Sequence, residues 1–214
     1  SSCGSHNSKR QSVISEIISS EQRYTHNMAS VVDKVLRPLQ AHALQTVTAP
    51  RKQKQLGISL VDVKKIFSNL EVLLDLHRKM LQELVSAQAQ TLPISSVFSR
   101  NAPSMCCYST YLNNYPQSLR VISHLNESLP GFKAFLAEKQ QQLHNLSLAS
   151  YLIMPVQRLP RYVLLLEQLQ QHTPPSHPFY LNVLQARMQL KSLAEEVNEN
   201  QRQVERLAKL LEIQ

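Results

Sequence analysis

The chain is poor in the residues that build phosphate loops, sheets and disulfide frameworks. Its 214 residues include three glycines, three cysteines and no tryptophan. So few glycines leave no phosphate-cradling loop of either the Walker or the dinucleotide type. There is no His-Glu-x-x-His and no Gly-x-Ser-x-Gly turn, which removes the commonest zinc-hydrolase and serine-hydrolase signatures. Cys3, Cys106 and Cys107 cannot make a disulfide framework. Cys106 and Cys107 are adjacent, with no other Cys and no His two to four residues away, and the three read as small buried or half-buried thiols. No run approaches the roughly 18 apolar residues of a membrane span, and no charged-then-apolar leader opens the chain. A cytoplasmic protein that can be recruited to a membrane is the expectation. No cofactor or metal is expected either, since the eight histidines are scattered and read as surface or helix-end residues.

What is present is helical. Leu, Gln, Ser, Lys and Glu dominate, no apolar–polar alternation appears, and 11 prolines punctuate the chain. The length suits one large domain with its own core. Residues 1–10 read as a flexible leader and 11–213 as a single domain. The net charge of +8 makes an anionic surface a plausible partner without choosing between membrane, nucleic acid and acidic protein.

Helix one is expected from about Ser12, with Val13/Ile14, Ile17/Ile18, Tyr24, Met28, Val31/Val32, Val35 and Leu39 on one stripe. Glu16, Ser20, Arg23, Asn27 and Lys34 occupy the opposite face, and Pro38 kinks or ends the helix. Gln40–Gly57 reads as a linker whose basic run, Arg51–Lys54, is a solvated loop. Ser59 is a helix cap, with Asp62 in the first turn of one long helix running to about Ala87. Tyr108, Tyr111 and Tyr115 share a helical face, read as core with hydroxyls reaching outward. Pro130-Gly131 reads as a turn before a helix at Phe132–Leu143. Thr173–Pro178 is a firm break. The last helix, about Phe179 to Ile213, carries heptad positions Val183, Leu190 and Val197, a seam that packs within the chain.

Ser150–Gln171 is the segment around which the others are expected to pack. Leu152, Val156, Leu159, Val163 and Leu166, widened by Tyr151, Tyr162, Leu165 and Leu169, make it apolar around most of its circumference. It nevertheless carries Gln157, Arg158, Arg161, Pro155 and Pro160. Ile153, Gln157, Arg161, Leu164 and Gln168 fall on one face. The expected architecture is all-α, an elongated bundle of about six long helices. With no catalytic constellation and no basic face interleaved with aromatics, a protein–protein module is the leading class and nucleic acid is not expected.

The run Tyr151-Leu-Ile-Met-Pro155-Val-Gln-Arg-Leu-Pro160-Arg-Tyr-Val-Leu-Leu-Leu166 closely resembles the third signature region of Dbl homology domains, the exchange domains for Rho-family GTPases. Val13–Tyr24 resembles the first region, and Ile66–Leu70 running on to Arg78 resembles the segment after it. The tyrosines with Asn114 resemble the second region, and Val197-Asn198-Glu199 resembles the family's last long helix. The resemblance covers about Ser12–Leu211. It implies a domain that grips both switch regions of a Rho-type GTPase, releases GDP and magnesium, and holds the empty protein until GTP enters. No covalent chemistry and no cofactor are involved. By the same resemblance Glu16 contacts the first switch, while Arg161 and Asn198 contact the second. Ile153 touches the central strand, where Ile resembles Rac-preferring members, and Gln157 lies on the same strip. Arg158 reads as structural, bonding carbonyls or a carboxylate inside the bundle. Met154 and Val163 depart from the family's common Lys and Pro, which bears on partner choice and rate. Family members usually continue into a pleckstrin homology domain, and no strand-rich stretch for one is present here. Two other readings remain: a non-catalytic relative that binds a GTPase or other protein as a scaffold, and a basic module for nucleic acid or anionic lipid, which predicts strongly salt-dependent binding.

Overall fold

A computed structural model describes the backbone of residues 2–48 and 56–212, and the side chains of 7–45, 56–199 and 202. Among the described residues every regular element is helical. Among the described residues six helices have 13 residues or more: α1 (Ser2–Val31), α4 (Leu70–Ala89), α6 (Cys107–Ser128), α7 (Pro130–Gln142), α9 (Met154–Gln171) and α10 (Tyr180–Glu212). Shorter pieces, α2 (Arg37–Thr48), α3 (Leu60–Phe67), α5 (Ser95–Asn101) and α8 (Leu148–Leu152), join them. At 1.5 Å per residue, the 33 residues of α10 span about 50 Å, so the bundle is elongated.

The apolar stripes pack as their spacing dictates. α1 lies against α4 and α9, and α10 lies against α9, α5 and α6. Val183, Ala186, Leu190 and Val197 of α10 are buried within the chain. The continuation of that seam from Asn200 lies outside the described side chains.

Several helix boundaries differ from the periodicity reading, each for a local reason. α1 starts at Ser2 rather than near Ser12, so most of the segment read as a flexible leader belongs to its first turns. Pro38 does not end the helix. A π-helical turn, Val32–Leu36, precedes it, with the Arg37 N–H donating to the Val32 carbonyl, and α2 continues to Thr48. The wider turn absorbs the hydrogen bond that proline cannot donate. The expected linker from Gln40 is therefore helical at its start, and the Arg51–Lys54 run lies outside the described residues.

Ser59 and Asp62 form the capping box of α3, the Asp62 N–H donating to Ser59 Oγ at 3.1 Å. The helix read as continuous to Ala87 breaks at Ser68, whose φ of 50° lies in the left-handed region. Side chains from α6 occupy the carbonyls exposed by that break. Asn114 donates to the Lys65 carbonyl at 2.7 Å and Ser118 to the Ile66 carbonyl at 2.6 Å. Pro130 is not part of a turn but sits in the first turn of α7, where a missing N–H costs nothing.

The central segment is also two helices rather than one. α8 ends at Leu152, Ile153 forms the joint, and Pro155 sits in the first turn of α9. Pro155 cannot donate to the Tyr151 carbonyl, so the helix must restart there. The Tyr111 hydroxyl takes the Leu152 carbonyl at 2.9 Å and holds the joint in place. Pro160 lies inside α9 on its exposed side.

Candidate functional site

α1 and α9 run antiparallel and touch through a ladder of polar contacts that starts in solvent and continues into the core. At the outer rung Arg161 Nη2 lies 3.5 Å from Glu16 Oε1, with both side chains about half exposed, at 49% and 48%. Two residues 145 positions apart in sequence are thus direct neighbours. Ile153 is half-buried, while Gln157, Arg161, Leu164 and Gln168 are exposed, so the strip expected on α9 does reach the surface.

Asn198 is exposed beside Val197, which is buried on α10. Arg187 of α10 meets Gln170 at 2.7 Å and Glu167 at 3.7 Å. The short turn between α9 and α10 makes the two helices antiparallel. Eleven residues on along α10 and eleven back along α9 set Asn198 level with about 156–159. α9 therefore lies between the helix that carries Glu16 and the helix that carries Asn198.

Below the Glu16–Arg161 rung opens a groove of about 430 Å³, lined in part by Arg23, Asn27, Met154, Gln157, Arg158 and Arg161. Among the described residues that line it none is acidic, and of its three arginines Arg158 and Arg161 are paired with Glu21 and Glu16. Met154, where a lysine is common in the resembling family, is half-buried and faces Asn27 Nδ2 at 3.7 Å from its sulfur.

The inner rung is a buried ion pair. Arg158 donates to the Glu21 carboxylate and to Ser20 Oγ, and its guanidinium lies over the rings of Tyr162 at 4.4 Å and Tyr24 at 5.0 Å. This assigns Arg158 to a carboxylate within the bundle, one of the two structural roles expected for it. Tyr162 Oη also donates to Glu21. His77 of α4 completes the set, with Nδ1 2.6 Å from Glu21 and Nε2 2.7 Å from the Tyr108 hydroxyl of α6. A proton on Nδ1 satisfies both contacts: Nδ1–H donates to Glu21, and Nε2 accepts from Tyr108. Burial pushes the Glu21 carboxyl up, but His77, Arg158 and Tyr162 together hold it down, at about 2. Burial also pushes the Tyr108 and Tyr162 hydroxyls well above their ordinary range.

The structure corrects three expectations. His77 is fully buried rather than a surface or helix-end residue. The hydroxyls of Tyr108 and Tyr111 turn inward, onto His77 and the Leu152 carbonyl, instead of outward. Cys106 is exposed, though Cys107 is half-buried as expected. Glu21 was not singled out from sequence, yet a signal was there: it stands in the apolar stripe of α1, between Ile17/Ile18 and Tyr24/Thr25. An acid on a core stripe requires a buried partner.

Chemically, the exposed part of this arrangement can bind, with an acid, a base, an amide and apolar surface. Among the described residues no group of three or more His, Cys, Asp or Glu stands close enough to hold a metal ion. No helix among them is long and apolar enough to cross a membrane.

A sequence model of the RhoGEF domain matches residues 13–198. The chain belongs to the RhoGEF domain family. It is similar to Guanine exchange factor for Rac 30 of Dictyostelium discoideum, 32% identical over 210 residues, covering 96% of this chain and 12% of that protein. It is also similar to Phosphatidylinositol 3,4,5-trisphosphate-dependent Rac exchanger 1 protein of Mus musculus, at 28% identity over 96% of this chain and again 12% of the relative. This RhoGEF domain thus spans about an eighth of the length of those relatives. Among solved structures, the apo activated truncation of Vav1 superposes with a TM-score of 0.86 at 25% identity, covering 97% of this chain and 50% of that one. Glu16, Ile153, Gln157, Arg161 and Asn198 all fall at or within the matched RhoGEF segment.

Proposed function

We propose that this chain is the exchange domain of a guanine nucleotide exchange factor for a Rho-family small GTPase. The single observation that carries the reading is the outer rung. Glu16 and Arg161 are brought together from distant parts of the chain, and each stays about half exposed. Such an acid–base pair, with Gln157 and Ile153 beside it and Asn198 on the next helix, can meet two neighbouring segments of one partner. Glu16 engages the first switch, and Arg161 and Asn198 engage the second.

Exchange then follows from linkage. A domain that binds the nucleotide-free GTPase more tightly than the loaded one lowers nucleotide affinity by the same factor. GDP and magnesium leave, and GTP enters when it displaces the domain. Covalent chemistry is not required. A Rac-type GTPase is the favoured partner, supported by the names of the relatives, which are exchange factors or exchangers for Rac.

The test is release of fluorescent GDP from a panel of Rho, Rac and related GTPases. Acceleration on at least one member, greatest on a Rac-type protein, is expected. No acceleration across the panel refutes exchange by this domain and leaves the non-catalytic scaffold.

A further inference from the structure

The outer and inner rungs share two helices and are separated by about one helical turn. Glu16 and Glu21 stand on α1, and Arg161 and Arg158 stand opposite on α9. The outer rung cannot set the separation of the helices. It is half exposed, its 3.5 Å contact is long, and two solvated side chains of that kind move freely. The Asn27–Met154 contact at the far end of the groove is weaker still, a 3.7 Å approach to a thioether. The inner rung differs in kind. Arg158 and Glu21 are nearly or fully buried, at 4% and 0% exposure, and each oxygen of Glu21 is occupied.

The cluster is also wider than a pair. Glu21 belongs to α1, His77 to α4, Tyr108 to α6, and Arg158 and Tyr162 to α9. Four helices therefore meet at one carboxylate or one contact removed from it. A carboxylate accepts hydrogen bonds only within a narrow range of distance and angle, so a displacement of α1 relative to α9 breaks several at once. Apolar packing alone tolerates such sliding far better, because it is non-directional.

We propose that Glu21, locked by Arg158, Tyr162 and His77, is a positioning residue that sets the spacing of α1 and α9 and thereby places Glu16 and Arg161 for their partner. This rests on the exchange reading above. Glu21 and Arg158 do not themselves touch the GTPase. They keep the outer pair at a separation that fits both switch segments, while the outer side chains stay free to leave one another.

The test must separate positioning from folding, because removing one charge leaves the other buried and unpaired. The informative variant is therefore the double substitution Glu21→Leu with Arg158→Met. Replacing both members of a buried pair by apolar residues of similar size is often neutral or stabilising, and the Tyr162 hydroxyl, 3.1 Å from His77 Nδ1, can then donate to that nitrogen in place of Glu21. The double variant is expected to melt within a few degrees of the parent or above it, while maximal GDP release falls by about tenfold or more through misplacement of the outer pair. Its crystal structure is expected to show the backbone spacing of α1 and α9 changed beside Glu16 and Arg161. Arg158→Lys keeps the charge but not the planar fork, and is expected to lose exchange nearly as far. Wild-type exchange in a stably folded double variant overturns the proposal. So does an exchange loss that only tracks the unfolded fraction. Should the parent domain itself release no GDP, the exchange reading fails separately. The spacing in the double variant then decides the positioning claim, and an unchanged α1–α9 separation overturns it.

Discussion

The two acid–base pairs joining α1 to α9 are near neighbours with opposite consequences. Glu21–Arg158 is sealed in the core with Tyr162, Tyr24 and His77 around it. Glu16–Arg161, about a turn away, lies half in water. The buried pair has paid its desolvation at folding and holds helices together. The exposed pair contributes little to the fold and remains available to a partner. Burial, not residue type, separates the structural ion pair from the one proposed to bind a partner.

The largest effect that would break this contrast is on stability. Glu21→Ala leaves Arg158 buried and uncompensated, and is expected to destabilise the domain by about 3–5 kcal/mol. Chemical denaturation measures it directly, and a loss below about 1 kcal/mol would put Glu21 in the same class as Glu16.

Acid provides a second test without mutation. The Glu21 carboxyl is held at about 2 in the fold against an ordinary value of 4.5. A lowered carboxyl contributes stability that is fully present above its unfolded value and is lost as pH falls through its folded one. Stability is therefore expected to decline between about pH 4.5 and 2, by roughly 3 kcal/mol from this group. In a Glu21→Gln background that component of the acid slope disappears. An unchanged slope would show that the cluster does not hold the carboxyl down.

The smallest expected stability effect belongs to the outer pair, though its functional effect is large. Glu16→Ala and Asn198→Ala are each expected to reduce GDP release by about a hundredfold. Melting temperatures should move by no more than a few degrees, since the coupling between Glu16 and Arg161 is under about 1 kcal/mol and Asn198 is exposed. A thermal loss comparable to that of Glu21→Ala would assign those residues to the fold instead.

The buried cluster also shows where reading the sequence stops. Arg158 could be recognised as a cation inside an apolar helix that needs an internal acceptor. Which acceptor could not be found, because Glu21 is 137 residues away. His77 stood in a leucine-rich stripe, as Glu21 stood in an isoleucine-rich one, and both were core positions by spacing alone. Polarity argued the other way, and for His77 it was the misleading signal. The helix breaks at Ser68 and Ile153 were hidden for a related reason. Both lie within continuous apolar periodicity, and the groups that take the freed carbonyls, Asn114, Ser118 and Tyr111, come from a different helix.

By itself the sequence determined the helical class, the positions of most helices, the faces they bury and the polar strip that α9 leaves uncovered. Those follow from local periodicity and from the scarcity of glycine, which a single chain displays in order. Only the tertiary structure decided that α1 and α9 lie antiparallel at this register. That register puts Glu21 beneath Arg158 and Glu16 beside Arg161. Pairing across more than a hundred residues depends on how whole helices pack, and that information is spread over every face in the bundle.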